Sequence, residues 1–343
     1  MKGNKEAMFY KKNINNVVVC ELCPRFCALA EGKTGFCRAR KNIGGKLISL
    51  VYGKPCSLAV DPIEKKPLFH FAPGSRTLSV ATVGCTLACK HCQNWEISQA
   101  KEVIGNDLLP EQLLKEIKQS NAQGFSWTYT EPTAFYEYFY DTANLCKKEK
   151  KDFYHVWVSN GFTCEEPIKK AAKLIDAVNI DYKGDDVFYK KVCAASLEPV
   201  LEAIKLYKKL GVWIEITNLL IPGKNDSDEQ IREMCSFIKE AGGAPLHISR
   251  FFPYHKMASV PKTDEKTLEK AAKIAEEYLD YVYIGNIRSS SENTYCPNCK
   301  NLLIERIGYF VNKIDIKKGK CPYCSNKIPL AGMKWSAFKD FME

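Results

Sequence analysis

From about residue 76 to 288 the sequence alternates short apolar runs with longer amphipathic ones, which leaves few architectures open to it. The runs LSVATVG (78–84), FSWTYT (125–130), FYHVWVS (153–159), AVNIDYK (177–183), VWIEITNLLI (212–221), PLHISRFF (245–252) and YVYIGNI (281–287) read as strands. Between them, 110–122, 132–148, 197–210, 227–241 and 264–279 repeat apolar residues at helical spacing. Strands alternating with helices of this length imply right-handed crossovers and a parallel sheet. Six or seven such units are too few for a closed eight-stranded barrel, so an α/β fold with an open, partial barrel is expected. In barrels the chemistry gathers at the C-terminal ends of the strands, so polar residues there are the first candidates.

Sixteen cysteines in 343 residues are unusual. No run of eighteen apolar residues is present, and the start MKGNKEAMFYKKN lacks the apolar core of a secretory signal. The expected compartment is therefore the cytoplasm, with no membrane partner. There thiols stay reduced, and clustered cysteines point to metal. Eleven fall in three tight groups; Cys56, Cys146, Cys164, Cys193 and Cys235 are single and read as small buried apolar side chains. The formal charge is +10, from 50 Lys+Arg against 40 Asp+Glu. Ligation by thiolates at three sites lowers this to about +5, too mild to indicate nucleic acid.

The central group, Cys85-Thr-Leu-Ala-Cys89-Lys-His-Cys92, directly follows the first strand. Three thiolates from one tight loop can hold three irons of a cubane cluster and leave the fourth iron open. Zinc, with His91 or a distant residue as fourth ligand, is the structural alternative. With GCTLACKHCQNWEISQ and the preceding DPIEKKPLFHFAPGS (61–75), the chain resembles the radical S-adenosylmethionine (SAM) superfamily. More narrowly, it resembles the radical SAM member of the AmmeMemoRadiSam system, related to pyruvate formate-lyase activating enzymes. The resemblance implies a partial (β/α)6-type barrel over 76–288. It implies that Cys85, Cys89 and Cys92 ligate [4Fe–4S], whose open iron chelates SAM. One electron then yields methionine and a 5′-deoxyadenosyl radical that abstracts hydrogen from a substrate the sequence does not name. His91 stands where the superfamily commonly has a carbocyclic aromatic residue, and an imidazole can still pack on adenine.

The ends of the expected strands supply further candidates. Thr130-Glu131-Pro132 fits the second half of the superfamily's Gly-Gly-Glu-Pro, with Tyr129-Thr130 in place of the glycines; Glu131 would accept the SAM ammonium. A carboxylate at a helix N-terminus before proline explains it equally. Ser159 and Asn160 match the Ser/Thr-Asn-Gly of activating enzymes. Asp181 and Lys183 match an Asp-x-Lys whose lysine reaches the SAM carboxylate; a structural ion pair is the alternative. Asn218 and Ile221 fall in a stretch resembling the lining of the adenine edge, and His255 matches an activase histidine near the ribose. His70 and His247 read as packing histidines.

Two modules flank the barrel. Residues 1–45 carry Cys20, Cys23, Cys27 and Cys37, spaced C-x2-C-x3-C-x9-C, for zinc or an auxiliary iron–sulfur cluster; zinc is the simpler staple for so small a segment. Residues 46–75 connect it to the barrel. After a linker at Ser289–Asn293, residues 292–343 carry Cys296, Cys299, Cys321 and Cys324 in two knuckles, a zinc-ribbon or rubredoxin-type iron pattern. Ser325 replaces the usual glycine after the second knuckle. The resemblance further implies a flavodoxin or ferredoxin as reductant, and Memo-like and AMMECR-type proteins as associates. A glycyl-radical activase acting on a partner protein and a non-catalytic zinc adaptor are the other function classes. Only 38 residues, none a cysteine, separate Cys92 from Glu131, which argues against the activase branch with a ferredoxin insert.

Overall fold

The computed structural model describes residues 5–287 and 290–338. Residues 1–4 of the polar start and Ser289 of the expected linker lie outside it, while Ser290–Glu292 form a 3-10 turn. Eight strands make one sheet: β1 (Ser57–Pro62), β2 (Arg76–Ala81), β3 (Gly124–Trp127), β4 (Tyr154–Ser159), β5 (Ala177–Asp181), β6 (Trp213–Leu220), β7 (Leu246–Arg250) and β8 (Val282–Gly285), side by side in chain order. From β2 to β8 every neighbouring pair is parallel. β1 is an antiparallel edge strand on β2. β1 and β8 do not pair, so the sheet is an open barrel.

Six helices make the crossovers: α1 (Pro110–Ser120), α2 (Tyr136–Lys148), α3 (Glu165–Ala171), α4 (Glu198–Lys209), α5 (Asp228–Glu240) and α6 (Glu265–Glu276). Local chemistry sets their starts. Ser227 caps α5 and exchanges bonds with Gln230, Asp264 caps α6, and Pro110 opens α1. The expected helix over 132–148 is divided. Glu131 caps a 3-10 turn at Pro132–Phe135, and the α-helix begins only at Tyr136. Six of the seven expected strands end one to three residues early; past β2 and β3 the backbone turns to positive φ, at Gly84 and at Tyr129.

The helix-facing side of the sheet is aromatic, with Trp127 and Trp157 packed edge-on against α2. The concave side is polar. Fully buried Glu215 accepts from Phe69 N at 2.9 Å, His70 N at 2.8 Å, His247 Nε2 at 2.7 Å and Trp213 Nε1 at 3.0 Å. Burial pushes its carboxyl up, but His247 and these donors outweigh that and hold it below its ordinary value. His70 and His247 are thus satisfied packing histidines.

The N-terminal module forms two small antiparallel sheets, one from Lys5–Glu6, Lys46–Ser49 and Arg40–Ile43, the other from Tyr10–Lys12, Val18–Cys20 and Ala28–Leu29. Its Arg40 is buried and paired with Glu137 of α2 at 2.5 Å. The C-terminal module is a three-stranded sheet of β9 (Thr294–Tyr295), β10 (Leu302–Ile307) and β11 (Phe310–Ile314). Its Arg306 is buried and donates to Phe69 O at 2.7 Å, Glu292 O at 3.0 Å and Thr294 Oγ1 at 2.8 Å. Among the described residues no helix is long and apolar enough to cross a membrane.

Candidate active site

The loop that carries Cys85, Cys89 and Cys92 leaves the C-terminal end of β2. Gly84 sets its direction: at φ +103°, a side chain there would sit 2.5 Å from the carbonyl oxygen of Cys37. The loop is then fastened to Tyr189–Cys193, a single π-helical turn, by Ala88 N to Cys193 O (3.0 Å) and Lys90 N to Val192 O (2.9 Å). Leu87 N donates to Cys85 Sγ at 3.4 Å, Asn160 Nδ2 reaches it at 3.5 Å, and Cys92 Sγ meets Ser98 Oγ at 3.3 Å. Burial, with Glu131 and the neighbouring thiols, pushes Cys85 well up; Cys193 and burial do the same to Cys89. These thiols must therefore lose protons on taking up metal.

The next strand ends converge on this loop. Glu131, after β3, is fully buried; Oε1 accepts from Ser159 Oγ at 2.9 Å and Thr133 N at 3.0 Å, and Oε2 from Asn160 N at 2.8 Å. Burial nonetheless raises its carboxyl above the ordinary range. Ser159 and Asn160 close β4, and Gly161 turns the chain at φ +72° with Ile180 and Val200 against it. Beyond β5, Lys183 pairs with Asp181 at 2.7 Å. Burial disfavours its charge, but Asp181 and the thiols of Cys89 and Cys193 hold the ammonium well above its ordinary value. Cys85, Cys89, Cys92, Glu131, Ser159, Asn160, Asp181 and Lys183 thus share one end of the barrel.

The remaining candidates differ in placement. His91 is buried beside Phe188, its pKa lowered to about 3 by burial and Lys183. His255 stacks on Trp95 with ring centroids 4.8 Å apart. Asn218 donates to Tyr182 O at 2.8 Å. Thr130 turns its hydroxyl to Thr82 O at 2.8 Å. Ile221 is fully buried, and its backbone N–H donates to Asn225 Oδ1 at 2.7 Å. The buried atoms His91 Nδ1, Asn218 Oδ1 and His255 Nε2 have no protein partner. Such orphans need a ligand or water.

Sequence reasoning missed several residues here. Cys193, read as a lone apolar thiol, lies against Cys89. Asn225 staples the β6 loop by donating to Lys183 O at 2.6 Å and Leu219 O at 2.9 Å. Buried Lys66 pairs with Asp61 at 2.7 Å and sits 4.4 Å from the Tyr129 ring centroid, while the Tyr129 hydroxyl donates to Asp61. Only Tyr129 left a trace, as a bulky residue where glycines are usual.

The flanking cysteines also assemble. Cys20, Cys23, Cys27 and Cys37 line one cavity. Cys296, Cys299, Cys321 and Cys324 place their sulfurs within 4.8 Å of one another, a set that could hold a metal ion. Ser325 takes φ 62° without being glycine, matching Lys300 at φ 60° in the first knuckle, so the missing glycine leaves the knuckle geometry intact.

The family model of the radical SAM superfamily matches residues 79–238. An uncharacterized protein of Methanocaldococcus jannaschii is 48% identical over 336 residues, covering 95% of this chain and 99% of that protein. The pyruvate formate-lyase-activating enzyme of Clostridium pasteurianum is 26% identical over 227 residues, covering 61% of this chain and 93% of that one. This chain belongs to the radical SAM superfamily. Among solved structures, a radical SAM methyltransferase from Sphaerobacter thermophilus shares the fold, with TM-score 0.51 at 14% identity over 62% of this chain and 66% of that one. The protein is a radical SAM enzyme with a partial barrel and a C-terminal cysteine cluster.

Proposed function

We propose that this radical SAM enzyme holds [4Fe–4S] on Cys85, Cys89 and Cys92 and cleaves SAM reductively, to abstract hydrogen from a substrate still to be identified. The observation that carries this is the three-thiol loop at the end of β2, ringed by the polar ends of β3, β4 and β5. The donor set fits. Three thiols from one loop can each take one iron of a cubane and leave the fourth iron open. A bound cluster supplies one electron at low potential to a chelated sulfonium. Lys183 supplies a cation for the SAM carboxylate, and Glu131 an acceptor for its ammonium. His91, neutral and buried, offers an imidazole face and a free Nδ1 to the adenine. Asn218 Oδ1 and His255 Nε2 are the other open acceptors or donors.

Similarity to activating enzymes supports a second reading, a glycyl-radical activase acting on a partner protein. The reductant is a flavodoxin or ferredoxin, and the associates are Memo-like and AMMECR-type proteins. The C-terminal quartet holds zinc. The test is anaerobic reconstitution with SAM and dithionite. The protein forms 5′-deoxyadenosine, and Cys85→Ala, Cys89→Ala and Cys92→Ala each form none. Product from any of the three variants sinks the proposal. Deuterium transfer into 5′-deoxyadenosine, from labelled metabolites or a labelled partner protein, separates the two readings.

A further inference from the structure

The two flanking quartets differ in size. In the C-terminal one, Cys296 Sγ lies 3.5 Å from Cys324 Sγ, and Cys299 Sγ 3.5 Å from Cys321 Sγ. Four thiolates bound to one zinc at about 2.3 Å sit about 3.8 Å apart, so this quartet has the dimensions of a single ion. The N-terminal quartet does not. Cys20, Cys23, Cys27 and Cys37 line one cavity, shared with Thr86 and Ala134. Among the described residues, only the C-terminal quartet gathers three or more such ligand atoms within single-ion range. One ion needs its thiolates that close; a cubane does not, because each thiolate takes a different iron.

The wide quartet also abuts the central loop. Gly84 packs against the Cys37 carbonyl so closely that a Cβ would lie 2.5 Å from its oxygen. Thr86 lines the quartet's cavity. Arg25, between Cys23 and Cys27, donates from Nε to Thr86 O at 2.6 Å and from Nη2 to Ala194 O, with its guanidinium 3.4 Å from the Phe36 ring centroid. Both chain neighbours of Cys85 thus touch the quartet's site.

We propose that Cys20, Cys23, Cys27 and Cys37 hold a second [4Fe–4S] cluster that passes single electrons to the central one. This rests on Cys85, Cys89 and Cys92 being cluster ligands. A one-electron donor protein reduces the N-terminal cluster from its 2+ to its 1+ state. The same electron moves to the central cluster and returns the first to 2+; no bond changes and no proton moves. Closed by four thiolates, the N-terminal cluster leaves no iron for SAM and can only relay.

The experiment uses the full chain, reconstituted anaerobically. A Cys85→Ala/Cys89→Ala/Cys92→Ala variant keeps about four iron and four sulfide per chain, against about twice that in the wild type. Reduced flavodoxin gives it a cluster EPR signal that SAM does not change. Zinc, a single iron without sulfide, or no metal at the quartet overturns the proposal. The converse variant, Cys20→Ser/Cys23→Ser, keeps a SAM-responsive signal with dithionite but is reduced by flavodoxin at least tenfold more slowly than the wild type. An equal rate overturns the relay. Where the converse variant fails to fold, the metal content and flavodoxin reduction of the first variant decide. A wild type with two clusters, neither responding to SAM, overturns the central reading and the relay but upholds the second cluster.

Discussion

The N-terminal and C-terminal cysteine modules grip opposite ends of the same barrel. The first meets it where the strands end: Gly84 and Thr86 touch the quartet's site, and Arg25 binds the central loop. The second meets it where the strands begin. Ala331 N donates to His70 O at 2.9 Å, Ser336 Oγ to Pro73 O at 2.7 Å, and Trp335 Nε1 to Asp152 O at 2.9 Å, just before β2 and β4. Cysteine spacing already differs between the two quartets, and position separates them further. One is placed to influence chemistry, the other to hold the barrel together. Variants on each side should therefore fail in different ways.

The largest effect is expected at the C-terminal seam. Arg306→Met strands the Phe69, Glu292 and Thr294 acceptors and removes a buried cation that faces the Phe69 ring at 4.4 Å. The loss is about 3–5 kcal/mol of stability, read by chemical denaturation. The cluster signals of the folded fraction should be unchanged. If Arg306→Met alters SAM response without loss of stability, the division of labour fails. The same seam should be acid-sensitive through His70, which contacts Pro329 O at 2.8 Å and Tyr283 Oη at 2.6 Å. Burial, opposed by Glu215 and aided by Arg306 and His247, lowers its pKa to about 4 from 6.5. Folded His70 stays neutral while the unfolded chain takes a proton, so its contribution is full above pH 6.5 and is lost as pH falls toward 4, by up to about 3 kcal/mol. Buried Glu64, raised to about 7, acts in the opposite sense in the same range. The measurement is therefore the difference between wild type and His70→Gln, which shrinks with acid; a pH-independent difference contradicts it.

At the other end, stability should change little and ligand binding much. Lys183→Ala removes a charge-assisted contact worth about 1.5–3 kcal/mol, a roughly 10- to 100-fold loss of SAM affinity by calorimetry. Asp181, which it leaves unpaired, is partly exposed, so the stability cost is smaller. Unchanged affinity returns Lys183 to a structural pair. The smallest effect is on Arg25→Gln, about 1 kcal/mol of stability from lost hydrogen bonds. It should nevertheless slow flavodoxin reduction of the central cluster; Cys296→Ala should not.

Much of this was legible because strand ends announce themselves. A polar residue closing an apolar run, as in Glu131, Asn160 or Lys183, stands out against the pattern that places it. The seven parallel strands followed from the same alternation. The edge strand β1 did not, since it belongs to a stretch without helical partners, nor did α3, only seven residues long with Pro167 in its first turn. Cys193, Asn225, Lys66 and Arg25 were illegible for another reason. Each acts on residues distant in sequence, and no local period marks such contacts. Quartet size was equally hidden, because spacing along the chain does not fix how far apart sulfurs end in space.

The most direct test of the account is EPR of the full-length protein, reconstituted anaerobically and reduced with dithionite, before and after adding SAM. The account predicts two reduced-cluster signals, of which only the one lost in Cys85→Ala shifts when SAM is added. The absence of any SAM-induced change would contradict it, because the three-thiol loop would then present no open iron to its ligand.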